Sequence, residues 1–368
     1  MEKNFIPGKH SFADFSAVMK ELEQDQSIQS VLIFSGGGTS IHKEEYDLLL
    51  KSSRLSIMGG IFPEIIFEGK RYQDGTVIIG CSQQMHTISI TDWDSDIEEQ
   101  VSQSVHKINP ENKSVWMFVD ALVSEKSKLF DSLYNIYGTI PKYIGAGAGT
   151  LDFNKFPCVF SNEGMIEMGA VIGICGISTS VGVAHGWEPI TKPLKVTESV
   201  NNKIISLDWQ PAMEVYKNVV ESHSKKDFDF EDFINCAKSY PFGISKLNAD
   251  MVIRDPFKQE DNCIYTLDSI DQGSHVSIMF GNTESLIQGA CEAKKKAFEG
   301  HDESEAEIMI IDCISRVLFL DSLFERELDG MDSENRSFGA LTLGEIANNG
   351  DSYLEVFNKT AVVCAIYE

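Results

Sequence analysis

The chain has 368 residues, 42% of them hydrophobic, and its 31 basic against 56 acidic side chains leave a net charge of −25. That apolar content supplies a sizeable core for two or three domains, while the charge repels phosphate backbones and anionic bilayers, which argues against a nucleic-acid partner and against membrane insertion. Eight cysteines are scattered with no Cys-x-x-Cys pair, so neither a zinc cage nor a disulfide scaffold is signalled and a reducing, cytoplasmic setting is expected.

The start, Met1-Glu2-Lys3-Asn4, lacks the apolar core of a secretion signal. Phe12, Phe15, Met19 and Leu22 then recur at helical spacing, followed by an apolar strand, Ser30-Val31-Leu32-Ile33-Phe34. Gly36-Gly37-Gly38-Thr39-Ser40 stands where backbone amides could cradle an anion, but it has no P-loop lysine and reads as a tight turn. A glycine-bearing strand, Ile57-Met58-Gly59-Gly60, completes a faint first unit.

The middle of the chain repeats this order more clearly. Asp92-Trp93-Asp94-Ser95-Asp96 begins like a calcium loop, but Ile97 and Gln103 stand where glycine and a bidentate glutamate are needed, which leaves a solvated helix start. Ile97, Val101, Val105 and Ile108 mark the helix, Val115-Trp116-Met117-Phe118-Val119-Asp120 the strand, and Asp131-Ser132-Leu133-Tyr134 a second helix. Tyr143-Ile144-Gly145-Ala146 is the glycine strand and Ala170-Val171-Ile172-Gly173 the closing one. Gly145-Ala146-Gly147-Ala148-Gly149 resembles a dinucleotide loop only superficially, because Pro157 follows and no helical periodicity does.

Residues 168–187 are uncharged and long enough to cross a bilayer, yet five glycines and Ser178, Thr179 and Ser180 punctuate them, so two buried strands joined by a turn are expected. Residues 196–271 break the pattern: a strand from Lys203 to Leu207, a helix after Pro211, an acidic run over 227–232 and strands near Met251 and Tyr265 suggest an inserted connector and lid. The last copy follows, with Leu286, Ile287, Ala290, Ala293 and Ala297 on a helix and Ile308-Met309-Ile310-Ile311-Asp312 as its strand. Asp321-Ser322-Leu323-Phe324, Ser337-Phe338-Gly339-Ala340 and Ala361-Val362-Val363-Cys364 echo the remaining elements. Such helix-strand-helix-strand-strand units predict an α/β fold of mixed sheets covered by helices, with an N-terminal helix over 1–29, a first domain over 30–230 and a second over 231–368.

No Gly-x-Ser-x-Gly elbow, His-Glu-x-x-His helix or kinase signature is present, so no enzyme class is indicated. Cys313, in Asp312-Cys313-Ile314-Ser315-Arg316, lies where a strand gives way to a helix, and both a helix N-terminus and a guanidinium favour thiolate. Glu345 should arrive from the neighbouring glycine strand. Two readings are open: cysteine, arginine and glutamate converging at a binding rim, or a small buried Cys313 beside a structural Arg316–Glu345 ion pair. His185-Gly186-Trp187 likewise suits either a structural hydrogen-bonding histidine or an axial haem ligand.

In this order the chain resembles the FIST family, sensory proteins with an N-terminal and a C-terminal FIST part. The resemblance is carried by Ile144-Gly145-Ala146-Gly147-Ala148-Gly149, Pro157-Cys158-Val159-Phe160-Ser161-Asn162-Glu163-Gly164, Gly186-Trp187-Glu188-Pro189, Leu207-Asp208 with Pro211-Ala212, Asp312-Cys313 with Arg316, Phe338-Gly339 before Gly344-Glu345-Ile346, and Asn358-Lys359-Thr360. It implies a two-part FIST architecture and a small-molecule ligand, with Cys313, Arg316, Glu345, His185, Trp187 and Gly147 as the expected ligand-binding residues. Some stand-alone members of the family are haem proteins that sense nitric oxide and regulate a histidine kinase, so haem on His185 and two-component signalling follow from the resemblance alone. The FIST-like pattern occupies the chain from about residue 30 onward with no fused kinase, cyclase or F-box, and output through a separate protein is expected. Two alternatives stand beside this: an amino acid or small anion held by Arg316 with Glu345 taking an amine, and a thiol-dependent enzyme with Cys313 as nucleophile.

Overall fold

The structure is a computed structural model that describes residues 1–105, 111, 113–246, 250–348 and 353–367. Three repeats share one order: edge strand, helix, central strand, helix, glycine strand, hairpin, closing strand. In the first these are Glu2–Pro7, Phe12–Gln24, Ser30–Gly36, Lys43–Ser52, Ser56–Phe62, the hairpin Glu64–Phe67 with Lys70–Tyr72, and Gly75–Cys81. The middle repeat runs His86–Ile90, Ile97–Val105, Ser114–Asp120, Lys126–Tyr137, Lys142–Ala148, Val159–Ser161 with Gly164–Ile166, and Ala170–Cys175. The last uses Ser178–Ala184, Thr283–Ala297, Glu307–Cys313, the helices Ile314–Leu320 and Phe324–Met331, Phe338–Thr342, Glu345–Ala347 with Glu355–Phe357, and Ala361–Tyr367. The faint first unit is therefore a full copy. Ile108, assigned from the sequence to a helix face, lies outside the described residues.

In every repeat the central strand runs parallel to the glycine strand and antiparallel to the closing strand. One glycine recurs at the same register, with Gly59 opposite Ile33, Gly145 opposite Met117 and Gly339 opposite Ile310. A Cβ at these positions would come within 2.1, 2.3 and 1.9 Å of the carbonyl oxygen of the facing residue. Only glycine permits so close an approach of two strands.

Each hairpin leaves its own repeat and pairs with the glycine strand of another: Glu64–Phe67 with Phe338–Thr342, Val159–Ser161 with Ser56–Phe62, and Glu345–Ala347 with Lys142–Ala148. Three six-stranded sheets of identical order result, linked in a ring by exchanged hairpins. Alternation along the strands gives each sheet two apolar faces. Val115, Met117 and Val119 pack on the helices of the middle repeat, as Ile308 and Ile310 do on those of the last. Trp116, Phe118, Met309 and Ile311 join Leu32 and Phe34 in one shared core. There Phe34 meets Phe118 at 5.5 Å and Phe338 at 6.0 Å, and Phe62 meets Phe118 at 5.7 Å. Hydrocarbon thus fills the space among the three sheets.

The uncharged stretch 168–187 forms two strands, as expected, but they belong to different sheets: Ala170–Cys175 closes the middle one and Ser178–Ala184 edges the last. Among the described residues no helix is long and apolar enough to cross a membrane. Residues 188–280 are inserted between the edge strand and first helix of the last repeat. They form an antiparallel nine-stranded sheet around the helix Ala212–Ser224, with Val196, Tyr216, Phe242 and Ile278 in a core of their own. Phe230, near which the sequence suggests a domain division, falls inside this insertion.

Candidate functional site

In two of the three repeats the end of the central strand is closed at once. Gly36 turns beneath the Gln73 carbonyl, where a Cβ would lie 2.4 Å from the oxygen, so Gly36-Gly37-Gly38 is a packed turn. In the last repeat the helix Ile314–Leu320 starts directly after the strand and carries Arg316 into the gap. The middle repeat differs because residues 121–125 form a loop before the helix Lys126–Tyr137 begins. The inserted sheet and the hairpin of the last repeat stand across from that loop, and a cleft of about 830 Å³ opens between them.

The root of the loop is held by Asp120, whose carboxylate accepts the Leu122 and Met168 backbone N–H groups at 3.0 and 2.8 Å. Across the cleft, the Lys126 ammonium meets Asp268 at 2.7 Å, and the Asn358 amide donates to the same carboxylate at 2.8 Å. Burial alone would raise the Asp268 carboxyl, but Lys126 and Arg254 outweigh it and bring its pKa down to about 2. Arg254 is buried against the same wall. Its Nη1 donates to the carbonyls of Ile253 and Val356 at 3.0 and 2.9 Å, and its Nε to that of Ser269 at 3.3 Å. The helix beside it starts without any side-chain cap, and with the Lys128 N–H bonded to the Glu125 carbonyl at 2.9 Å, the N–H groups left for the cleft are those of Lys126 and Ser127.

The residues singled out from the sequence do come together, but in a packed setting. Arg316 has no solvent exposure. Its Nε and Nη2 donate to Glu327 at 2.8 and 2.7 Å, Asp312 lies 3.3 Å from Nε, and the remaining donors reach the carbonyls of His185, Lys359 and Leu286. The expected Arg316–Glu345 pair is thus replaced by Arg316–Glu327, and no donor is left for a ligand anion. Glu345 is fully buried and accepts from the Thr342 hydroxyl at 2.9 Å; burial raises its carboxyl well above the ordinary range.

Cys313 does not sit in the thiolate-favouring setting expected for it, since burial and the nearby Glu345 push its thiol well up. Gly147 is a strand-pairing position, its N–H donating to the Gly344 carbonyl at 2.7 Å. Trp187 is core: its indole donates to the Lys359 carbonyl at 3.0 Å and packs edge-on to Phe319.

Residues 10–210 match the FIST N domain and residues 212–348 the FIST C domain. The chain belongs to the FIST family. FIST domains are associated with signal transduction and small-ligand sensing. This FIST chain is also similar to the uncharacterized protein MJ1623 of Methanocaldococcus jannaschii, 22% identical over 346 residues, which cover 86% of this chain and 66% of that protein.

The haem suggested by some FIST members does not fit His185 here. The Trp187 N–H donates to its Nδ1 at 2.9 Å, so Nδ1 cannot carry the proton that an imidazole ligating iron through Nε2 keeps there. Burial is the main cause that lowers its pKa to about 4. Of the groups that line the cleft, sequence reasoning singled out none of Lys126, Arg254 and Asp268; the one available signal was Asn358-Lys359-Thr360, whose asparagine holds Asp268.

Proposed function

We propose that the cleft is the receptor site of a sensor, and that its occupancy by a small polar ligand is passed to a separate signalling protein such as a histidine kinase. The observation that carries this reading is that two separately packed bodies, the middle sheet with the hairpin it receives and the inserted sheet, border one cleft spanned by the Lys126–Asp268 bridge. A ligand touching both has different contacts in a closed and an opened arrangement, which is the requirement for a ligand to shift a conformational equilibrium. The protein acts here as a receptor rather than a catalyst. The amino-acid or small-anion version moves from Arg316, which is sealed, to this cleft.

A thermal-shift screen against a metabolite panel tests the reading, since a ligand at one hundred times its dissociation constant stabilises the fold by about 2.7 kcal/mol. Hydrogen exchange with the best stabiliser should then slow amides in residues 121–127 and in the strand Val252–Arg254. A panel without a single shift, or protection confined to other segments, would sink the proposal.

A further inference from the structure

We infer that the cleft takes an oxyanion, the carboxylate or phosphate group of a small metabolite, on Arg254 and the open start of the helix Lys126–Tyr137. The inference rests on the cleft being the receptor site and names the chemistry of what it receives. A guanidinium carries five N–H donors. Arg254 commits Nη1 to two carbonyls and Nε to a third, and its Nη2 has no partner among the described residues. The residue lines the cleft at 7% exposure, and no carboxylate lies within ion-pair distance of it among the described residues. Arg316 shows the opposite arrangement, a buried guanidinium closed by a bidentate carboxylate of its own chain. Asp268 acts on this guanidinium through space but takes no hydrogen bond from it, so an anion from solution would supply the directly bonded partner that Nη2 lacks.

The second feature is independent of the first. The helix Lys126–Tyr137 has 12 residues, and Glu125 at its N-cap makes no side-chain capping bond. An uncapped helix start presents N–H groups and the positive end of the helix dipole, which suit an oxyanion. The Lys126 ammonium is already committed to Asp268, so it is not counted. Of the acidic side chains around the opening, Glu355 pairs with Lys246 and Asp131 accepts from the Tyr353 hydroxyl. Asp271 and Glu125 remain on the lining, where they suit a ligand whose other end donates hydrogen bonds.

The test is isothermal titration of the full chain with inorganic phosphate, succinate and, as a neutral probe, glycerol, repeated on Arg254→Gln. Binding of phosphate or succinate but not glycerol, weakened about tenfold or more in the variant, is the expected result; the tighter of the two anions names the ligand's acidic group. Should Arg254→Gln fail to fold, Arg254→Lys, which retains the charge and loses the Nη2 donor, carries the same comparison. Equal anion affinity in a folded variant overturns the inference. So does a neutral metabolite that protects residues 121–127 while neither anion binds, an outcome that leaves the receptor reading standing. If nothing binds, both fall.

Discussion

Arg254 and Arg316 show how one side-chain type serves two ends. Arg316 is enclosed by Glu327, Asp312 and three backbone carbonyls, so it joins strand ends and can offer nothing to a ligand. Arg254 is nearly as buried but keeps an open edge. His185 belongs with the structural group: burial lowers its pKa from the ordinary 6.5 to about 4, so between those values the unfolded chain binds the more protons. Stability should therefore fall as pH drops through that window and be unaffected by this group above it. His185→Asn, which can still accept the Trp187 N–H, should lessen the slope of melting midpoint against pH between 6.5 and 4; a slope equal to that of the unaltered chain would show that His185 is not the group responsible.

At the scale of elements, helices and strands were legible because their apolar residues recur at periods set by backbone geometry. Phe15, Met19 and Leu22 are buried on one helix, and Ser11 and Asp14 form the capping box that starts it. The glycine strands were visible as a recurring pattern, but the reason for them is a contact between strands. Gly145→Ala and Gly339→Ala should each cost roughly 3 kcal/mol, since the new methyl group meets a backbone carbonyl that cannot move aside. Gly176→Ala, whose nearest neighbours are the tips of Lys113 and Gln83 at 3.4 and 3.6 Å, should stay within about 0.5 kcal/mol. Chemical denaturation of the three variants checks this, and a mild effect at Gly145 and Gly339 would refute the close-approach account. The candidate site was less legible. The run after Cys313 indicated a strand end, a helix start and Arg316 nearby, but not that the helix would carry Arg316 into the gap and onto Glu327.

At the scale of the molecule, every six-stranded sheet takes a hairpin from another repeat. No repeat can lose its structure without exposing a neighbour's glycine strand as a bare edge. The three repeats should consequently unfold together, with tryptophan fluorescence and far-ultraviolet circular dichroism giving coincident denaturant transitions for Trp116 and Trp187 in the ring. A well-separated early transition in a chain carrying Trp209→Phe, which removes the exposed insertion tryptophan, would contradict this cooperativity.

The amino-acid sequence by itself determined the α/β class, the three-fold recurrence of units, the presence of an insertion and the family, because all four are carried by short-range periodicity and by motifs in a set order. Which sheet receives each hairpin, which strand end stays open and which arginine keeps a free edge were decided only by tertiary structure. Those outcomes depend on residues far apart in the chain, such as Arg254 with Val356 and Lys126 with Asp268, and no local pattern encodes which distant partner a polar group will find.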